Sequence, residues 1–340
     1  MTNSSECCEE EARPAARFLD DANAHSATID EKWAASNEQW WDWYLSLAHN
    51  EHPIPDSLEV PPLPDPRPMP LHDIEQEFAT AYPLSSEAIE HFRSEGYIKL
   101  KEVCSPGALL LLRQELEGVL SGSAATRGVQ FQSVEMLWTL VPIARAFVLS
   151  RRLACIAAQL LGVVAVRLYH DNVLSKLPGC GRTPWHYDAH HYPIASENVV
   201  TLWIPLQPTP REMGPLAFAR GIETWQRFAE LPFSKFDDSY DREIGKTLRR
   251  DGVAIEEGPF ELGELSFHHT RCLHTAGPNR TNLARIAFST TYFEDHARLI
   301  DSPTLISGDY EKFMPGTGPG DPIASHLNPV LYSAVPETAP

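Results

Sequence analysis

The sequence predicts a mainly β fold with flanking helices, and three observations carry that expectation. After residue 163 the chain breaks into short β-branched or aromatic runs, "VVAVRLYHDNVLSKLPG", "NVVTLWIPLQP", "GPLAFARG", "GELSFHHTRCLHTAG" and "RIAFSTTYFE", separated by Gly, Pro and Asn. Such a series reads as the strands of a sandwich or barrel. Between residues 84 and 162 the apolar residues recur instead at helical spacing. A length of 340 residues suits one large β-rich domain with extensions.

Taken in order, residues 1–30 open "MTNSSECCEEEARP", acidic and without an apolar h-region, so a disordered tail is expected rather than a signal peptide. Residues 31–83 combine an aromatic helix with a Pro-rich strap. "EKWAASNEQWWDWYLSLAHN" carries Trp33, Trp40, Trp41, Trp43 and Tyr44, a large apolar face that must dock on its own domain or on a partner. "HPIPDSLEVPPLPDPRPMP" has too many prolines for a helix and favours an extended strap. The main domain is expected over 84–300. "LSSEAIEHFRSEGY" has a serine start, Ile89 and Phe92 on one face, and Gly96 as a stop. "YIKLKEV" alternates like a strand, and "SPGALLLLRQELEGVLSG" is a helix framed by Ser-Pro and Gly. A further helix is expected over 145–162. The charged and aromatic insertion at about 222–258 reads as a lid. Its Trp225, Phe228, Phe233, Phe236 and Tyr240 either line a substrate pocket or pack a surface helix. Residues 301–340 form a Gly/Pro-rich C-terminal extension expected to lie on the core.

Charge and cysteine usage narrow the function. A formal net charge of −18, with no basic cluster beyond "TLRR" at 247–250, argues against a nucleic-acid partner. No apolar run approaches a membrane span. Six scattered cysteines suggest a reduced, cytoplasmic protein rather than a disulfide scaffold, and Cys7-Cys8 has no further metal ligand nearby. A monomer or a homodimer is expected, acting on a small molecule.

The chemistry concentrates in "TPWHYDAHHYP", residues 183–193. His186 and Asp188 are two residues apart, a spacing that puts an imidazole and a carboxylate on one face of a strand. His-x-Asp recurs by chance, so a third ligand is needed; His268, His269 and His274 are available. Two His and one carboxylate on one side of an octahedron form the facial triad of non-haem Fe(II) oxygenases, with open positions for a chelating 2-oxo acid and O₂. The far carboxylate of a 2-oxo dicarboxylate needs a cation, and Arg285, eleven residues after His274, opens the strand "RIAFSTTYF". Strand parity sets Val200, Leu202, Ile204 and Leu206 on a core face and Thr201 with Trp203 on the other. It also lines up Ala287, Ser289 and Thr291 with Arg285. The alternatives are a structural His–Asp pair with an unrelated His, and an ordinary ion pair for Arg285. His190 and His191 fit a substrate wall or the surface better than metal ligation.

"TPWHYDAHHYPIASENVVTLWIPLQPTPREMGPLAF" and "GELSFHHTRCLHTAGPNRTNLARIAFSTTYF" resemble the phytanoyl-CoA dioxygenase family of Fe(II)/2-oxoglutarate oxygenases, as does "LSSEAIEHFRSEGYIKLKEVCSPGALLLLRQEL". The resemblance covers roughly 84–297. It implies a double-stranded β-helix (jelly-roll, cupin-like) core wrapped by helices. It implies His186, Asp188 and His274 as iron ligands and Arg285 as anchor of the 2-oxoglutarate distal carboxylate. Asn172 and Trp203 are implied as neighbours of the cosubstrate, with Thr201 a weaker candidate on Trp203's face. Fe(II), 2-oxoglutarate and O₂ are then the cofactors, and hydroxylation of a C–H bond in a small natural-product-like molecule is the expected reaction, releasing succinate and CO₂. Asp188 disfavours halogenation, for which relatives carry a small residue there. Desaturation, epoxidation and epimerisation use the same ligands and stay open, as do a Zn hydrolase and a non-catalytic jelly-roll binding module.

Overall fold

Serine caps place the helices. In the computed structural model, which describes residues 44–45, 47–48, 58–63, 69–123, 128–232, 237–303 and 310–334, Ser85, Ser105 and Ser150 each accept a hydrogen bond from the backbone N–H three residues on. The expectations for Cys7-Cys8, for the tryptophans at 33, 40, 41 and 43, and for Phe233 and Phe236 fall outside the described residues. Helix α1 (Leu71–Ala79) precedes α2 (Ser86–Glu95), which stops at Gly96 in the left-handed region (φ 84°) and leads straight into strand β1 (Tyr97–Leu100). Helix α3 (Pro106–Gly122) starts on a proline and runs through Gly122 to a cap at Ser123. The single helix expected over 145–162 is two, α4 (Pro142–Val148) and α5 (Arg151–Leu161), because Ser150 takes an extended backbone and caps the second.

Beyond these lie β2 (Phe131–Glu135), β3 (Ala165–Lys176), β4 (Thr183–His186), β5 (Val199–Pro205) and β6 (Leu216–Ala219). Helix α6 (Ser239–Arg250) follows, then β7 (Ile255–Glu257), β8 (Leu265–His269), β9 (His274–Ala276), β10 (Arg285–Glu294) and β11 (Val330–Ser333). They build two sheets. The major one runs β1-β8-β5-β10-β3-β11 with β2 also on β3; the minor one runs β4-β9-β6-β7.

This corrects the expected mainly β jelly-roll. The fold is mixed α/β with two open sheets: β1 and β11 end the major sheet, β4 and β7 the minor, and neither closes on itself. The short strand runs in the sequence count strands but carry no information on closure, which is a long-range property. The helices are also more than a wrapping. Phe78 of α1, Leu112 of α3, Phe147 of α4 and Ile156 of α5 join Leu202, Ile204, Phe288 and Tyr292 of the major sheet in one core. Each such side chain contributes roughly 1.5–3 kcal/mol by leaving water.

Register assigns the other face. Arg285, Ser289 and Thr291 of β10 stand opposite Lys176, Asn172 and His170 of β3. On the other flank Ser289 and Thr291 pair with Trp203 and Thr201 of β5, which pair in turn with Ser266 and His268 of β8. Paired residues share a face, so the inner face is polar while the helix-packed face is apolar. The minor sheet stands against the inner face, with Tyr97 stacked on Phe218 at 4.6 Å and Trp203 edge-on to Phe260 at 5.1 Å between ring centroids. That is why β5 is buried along its whole length. No helix among the described residues is long and apolar enough to cross a membrane.

Candidate active site

His186 ends β4 and His274 begins β9, and the two are register partners across the minor sheet, ring centroids 4.1 Å apart. Each ring is fixed by the same device. His186 Nδ1 donates to the Pro184 carbonyl and His274 Nδ1 to that of Cys272, both at 2.9 Å. A carbonyl only accepts, so the proton sits on Nδ1 and the Nε2 lone pair is left for a ligand. Burial, opposed in part by Asp188, lowers the pKa of both rings and keeps them neutral.

Asp188 follows β4 in a short 3-10 turn. Its Oδ1 lies 3.9 Å from His186 Nε2 and 3.7 Å from His274 Nε2. Its Oδ2 accepts from the Thr201 hydroxyl at 2.9 Å and faces His268 Nε2 at 3.4 Å. Burial pushes this carboxyl up, but the surrounding histidines outweigh that and hold it well below the usual carboxylate range. Ligand atoms of His186, Asp188 and His274 all lie within 4.8 Å of one another. Two neutral imidazoles and one carboxylate, oxygen and nitrogen donors on one side of a point, fit a non-haem Fe(II). Of the rival third ligands, His269 points elsewhere: its Nδ1 accepts from the Arg271 N–H and its ring meets Phe92. His268 reaches the site, but through Oδ2 of Asp188.

Arg285 is 2% exposed, and among the described residues no carboxylate pairs with it. Its guanidinium lies over Trp203 at 5.6 Å from the ring centroid, and its Nε has no partner, like Trp203 Nε1 and Asn172 Oδ1 nearby. Burial lowers its pKa to about 10, so it remains charged. Beside it, fully buried Lys176 donates to the carbonyls of Ala276 and Gly277. Buried charge without a partner is costly; here it marks a place for an anion. The turn between β9 and β10 is held by Asn279, whose amide donates to the Lys176 and Leu283 carbonyls and whose oxygen accepts from Thr281. Gly214 packs under that turn, where a Cβ would come within 2.2 Å of the Gly277 oxygen.

Around Asp188, His190 stacks on Tyr187 with centroids 5.4 Å apart, and His191 lies 5.9 Å from His186. The Tyr192 hydroxyl reaches Thr291, which reaches Thr201. His170 sits between Tyr169 and Phe313. A separate cavity of about 700 Å³, bordered by Trp185, Thr275 and α6, lies behind the minor sheet, because these residues alternate with His186 and His274. Three contributors escaped sequence reasoning. Thr291 was placed only in line with Arg285, Lys176 was not singled out, and Tyr44 was grouped with the tryptophans; its ring lies edge-on to His186 at 5.2 Å.

A His/Asp/His donor set beside a buried, unpaired arginine defines the class of Fe(II)/2-oxoglutarate-dependent oxygenases, enzymes whose cofactors are Fe(II) and 2-oxoglutarate. Within it, this chain belongs to the phytanoyl-CoA dioxygenase (PhyH) family, whose model matches residues 92–287. A probable alpha-ketoglutarate-dependent hypophosphite dioxygenase of Stutzerimonas stutzeri is 27% identical over 164 residues, 44% of this chain and 52% of that one. The chain thus spans about half the length of this curated relative. Among solved structures, the non-heme alpha ketoglutarate dependent carbocyclase SnoK from nogalamycin biosynthesis is 26% identical with a TM-score of 0.60, covering 73% of this chain and 96% of its own. EctD from S. alaskensis, solved with 2-oxoglutarate and 5-hydroxyectoine, is 17% identical with a TM-score of 0.57 over 72% and 88%, a likeness of fold.

Proposed function

We propose that this protein uses Fe(II) and 2-oxoglutarate to oxidise a C–H bond of a small, ring-containing organic molecule. One observation carries the reading: a complete His186/Asp188/His274 donor set lies with a buried guanidinium, Arg285, that among the described residues has no carboxylate partner. In this assignment the three ligands hold Fe(II), and Arg285 pairs with the distal carboxylate of 2-oxoglutarate. Trp203 Nε1 and the Asn172 amide, both on the Arg285 face, offer further hydrogen bonds. Thr201 acts through Asp188, fixing Oδ2 so that Oδ1 is turned to the metal. Bound together, Fe(II) and 2-oxoglutarate activate O₂ and supply the oxidant, releasing succinate and CO₂. The protein binds, orients and keeps water out. The Zn hydrolase alternative gives Arg285 no task, and a non-catalytic module has no use for three tied ligands.

For the outcome at carbon, the likeness to a carbocyclase across nearly the whole of that chain favours bond reorganisation over simple hydroxylation. Ring closure, epimerisation and desaturation all start from the same hydrogen removal, whereas epoxidation adds oxygen across a double bond at the same site. The aromatic, hydrogen-bonding wall of Tyr187, His190, His191, Tyr192 and His170 suits an oxygenated ring system. A screen of polycyclic natural products for substrate-dependent succinate release tests the class. The mass of the product then separates outcomes. A gain of one oxygen means hydroxylation or epoxidation, a loss of two hydrogens means ring closure or desaturation, and an unchanged mass with uptake of solvent deuterium means epimerisation. No binding of 2-oxoglutarate to the metal-loaded protein would sink the reading.

A further inference from the structure

The aromatic segment ahead of the proline strap reaches the site. Tyr44 lies well before residue 92, where the family match begins. Its half-buried ring is edge-on to His186 at 5.2 Å and to Phe131 at 6.0 Å. It thereby bridges β4 to the end of β2, where Phe131 pairs with Lys176, itself the register partner of Arg285. The phenol engages the side chain of Thr183 and interacts electrostatically with Arg285 and Asp188. The segment is pinned where it matters: the Ala48 carbonyl accepts the Gly181 N–H at 2.7 Å and the Cys180 thiol at 3.5 Å, while Leu45 and Ala48 pack on Phe131 and Cys180. The segment that carries Tyr44 beside His186 therefore lies outside residues 92–287, which the family model matches.

We propose that Tyr44 completes the dicarboxylate pocket, its phenol donating a hydrogen bond to the same distal carboxylate that Arg285 pairs with. A phenol donates once and accepts as well, so it can take a hydrogen bond from Thr183 while donating to the ligand. A hydrogen bond to a charged acceptor in a dry site is among the stronger kinds. The inference rests on the 2-oxoglutarate reading of Arg285, and its test separates the two.

Full-length protein loaded with Mn(II) is titrated calorimetrically with 2-oxoglutarate and, separately, with 2-oxobutyrate, which lacks the distal carboxylate. Tyr44→Phe keeps the ring contacts. It is expected to raise the 2-oxoglutarate Kd about 10-fold or more, leaving the Kd values for Mn(II) and 2-oxobutyrate within about twofold. A 2-oxoglutarate Kd unchanged in Tyr44→Phe overturns the inference. So does an equal loss for both acids, which would make Tyr44 a packing residue alone. Wild-type protein that ignores 2-oxoglutarate, or Arg285→Ala that binds it as wild type does, overturns the underlying reading whatever Tyr44→Phe shows.

Discussion

Single residues decide the chemistry through what they lack. Among the described residues Arg285 has no anion, and His186 and His274 have no partner at Nε2 beyond the neighbouring Asp188, while both Nδ1 atoms are tied to carbonyls. His274→Ala or Asp188→Ala is expected to weaken Co(II) binding by on the order of 100-fold or more, measured by equilibrium dialysis. Asp171 is a residue of another sort. It lies on the apolar face of β3, fully buried, and accepts the Trp138 N–H. Burial raises its pKa from the ordinary 3.8 to about 8, against the backbone hydrogen bonds that lower it. A raised carboxyl stabilises the fold fully below its unfolded pKa, and that contribution is lost as pH rises through the folded one. Calorimetry should show wild-type Tm falling between pH 5 and pH 8 more steeply than that of Asp171→Asn, whose amide does not titrate. Residue types at the site were the most legible part of the sequence. His186, Asp188 and Arg285 stand out because buried charge and imidazole need a reason. Tyr44 did not stand out, since an aromatic among tryptophans looks like packing.

At the scale of elements, local signals were read correctly where the physics is local. Ser85 and Ser105 cap helices, and Gly96 ends one, because these interactions span only a few residues. The parity of "NVVTLWIPL" foretold which side of β5 carries Thr201 and Trp203, and the pairing with β10 and β8 bears this out. The break at Leu149–Ser150 was missed, since an apolar run on either side hides a cap in its middle. Phe147 shows what the helical layer contributes: fully buried, it meets Phe78 at 4.8 Å and Phe288 at 6.3 Å between centroids, joining α1, α4 and β10. Phe147→Ala is expected to cost about 3–5 kcal/mol in urea unfolding. Its metal affinity in the folded fraction should stay unchanged, because the ring lies on the face away from the site.

For the molecule as a whole, the candidate metal point joins the two sheets. His186 and His274 belong to the minor sheet, and Asp188 is held by Thr201 and His268 of the major one. Metal binding should therefore raise Tm by mass action, worth about 2.7 kcal/mol at a hundredfold excess over Kd. Chelator should reverse the gain, and Asp188→Ala should show none in a thermal-shift assay. Openness of the sheets was the feature least legible beforehand, because closure depends on which distant strands meet, and no residue in β1 or β11 announces an edge. The division of the major sheet into an apolar face and a polar one has a wider consequence. Changes that alter what the protein acts on fall on one side, and changes that threaten its survival fall on the other. Descendants of such a chain can explore new substrates generation after generation while the architecture that keeps them folded goes untouched.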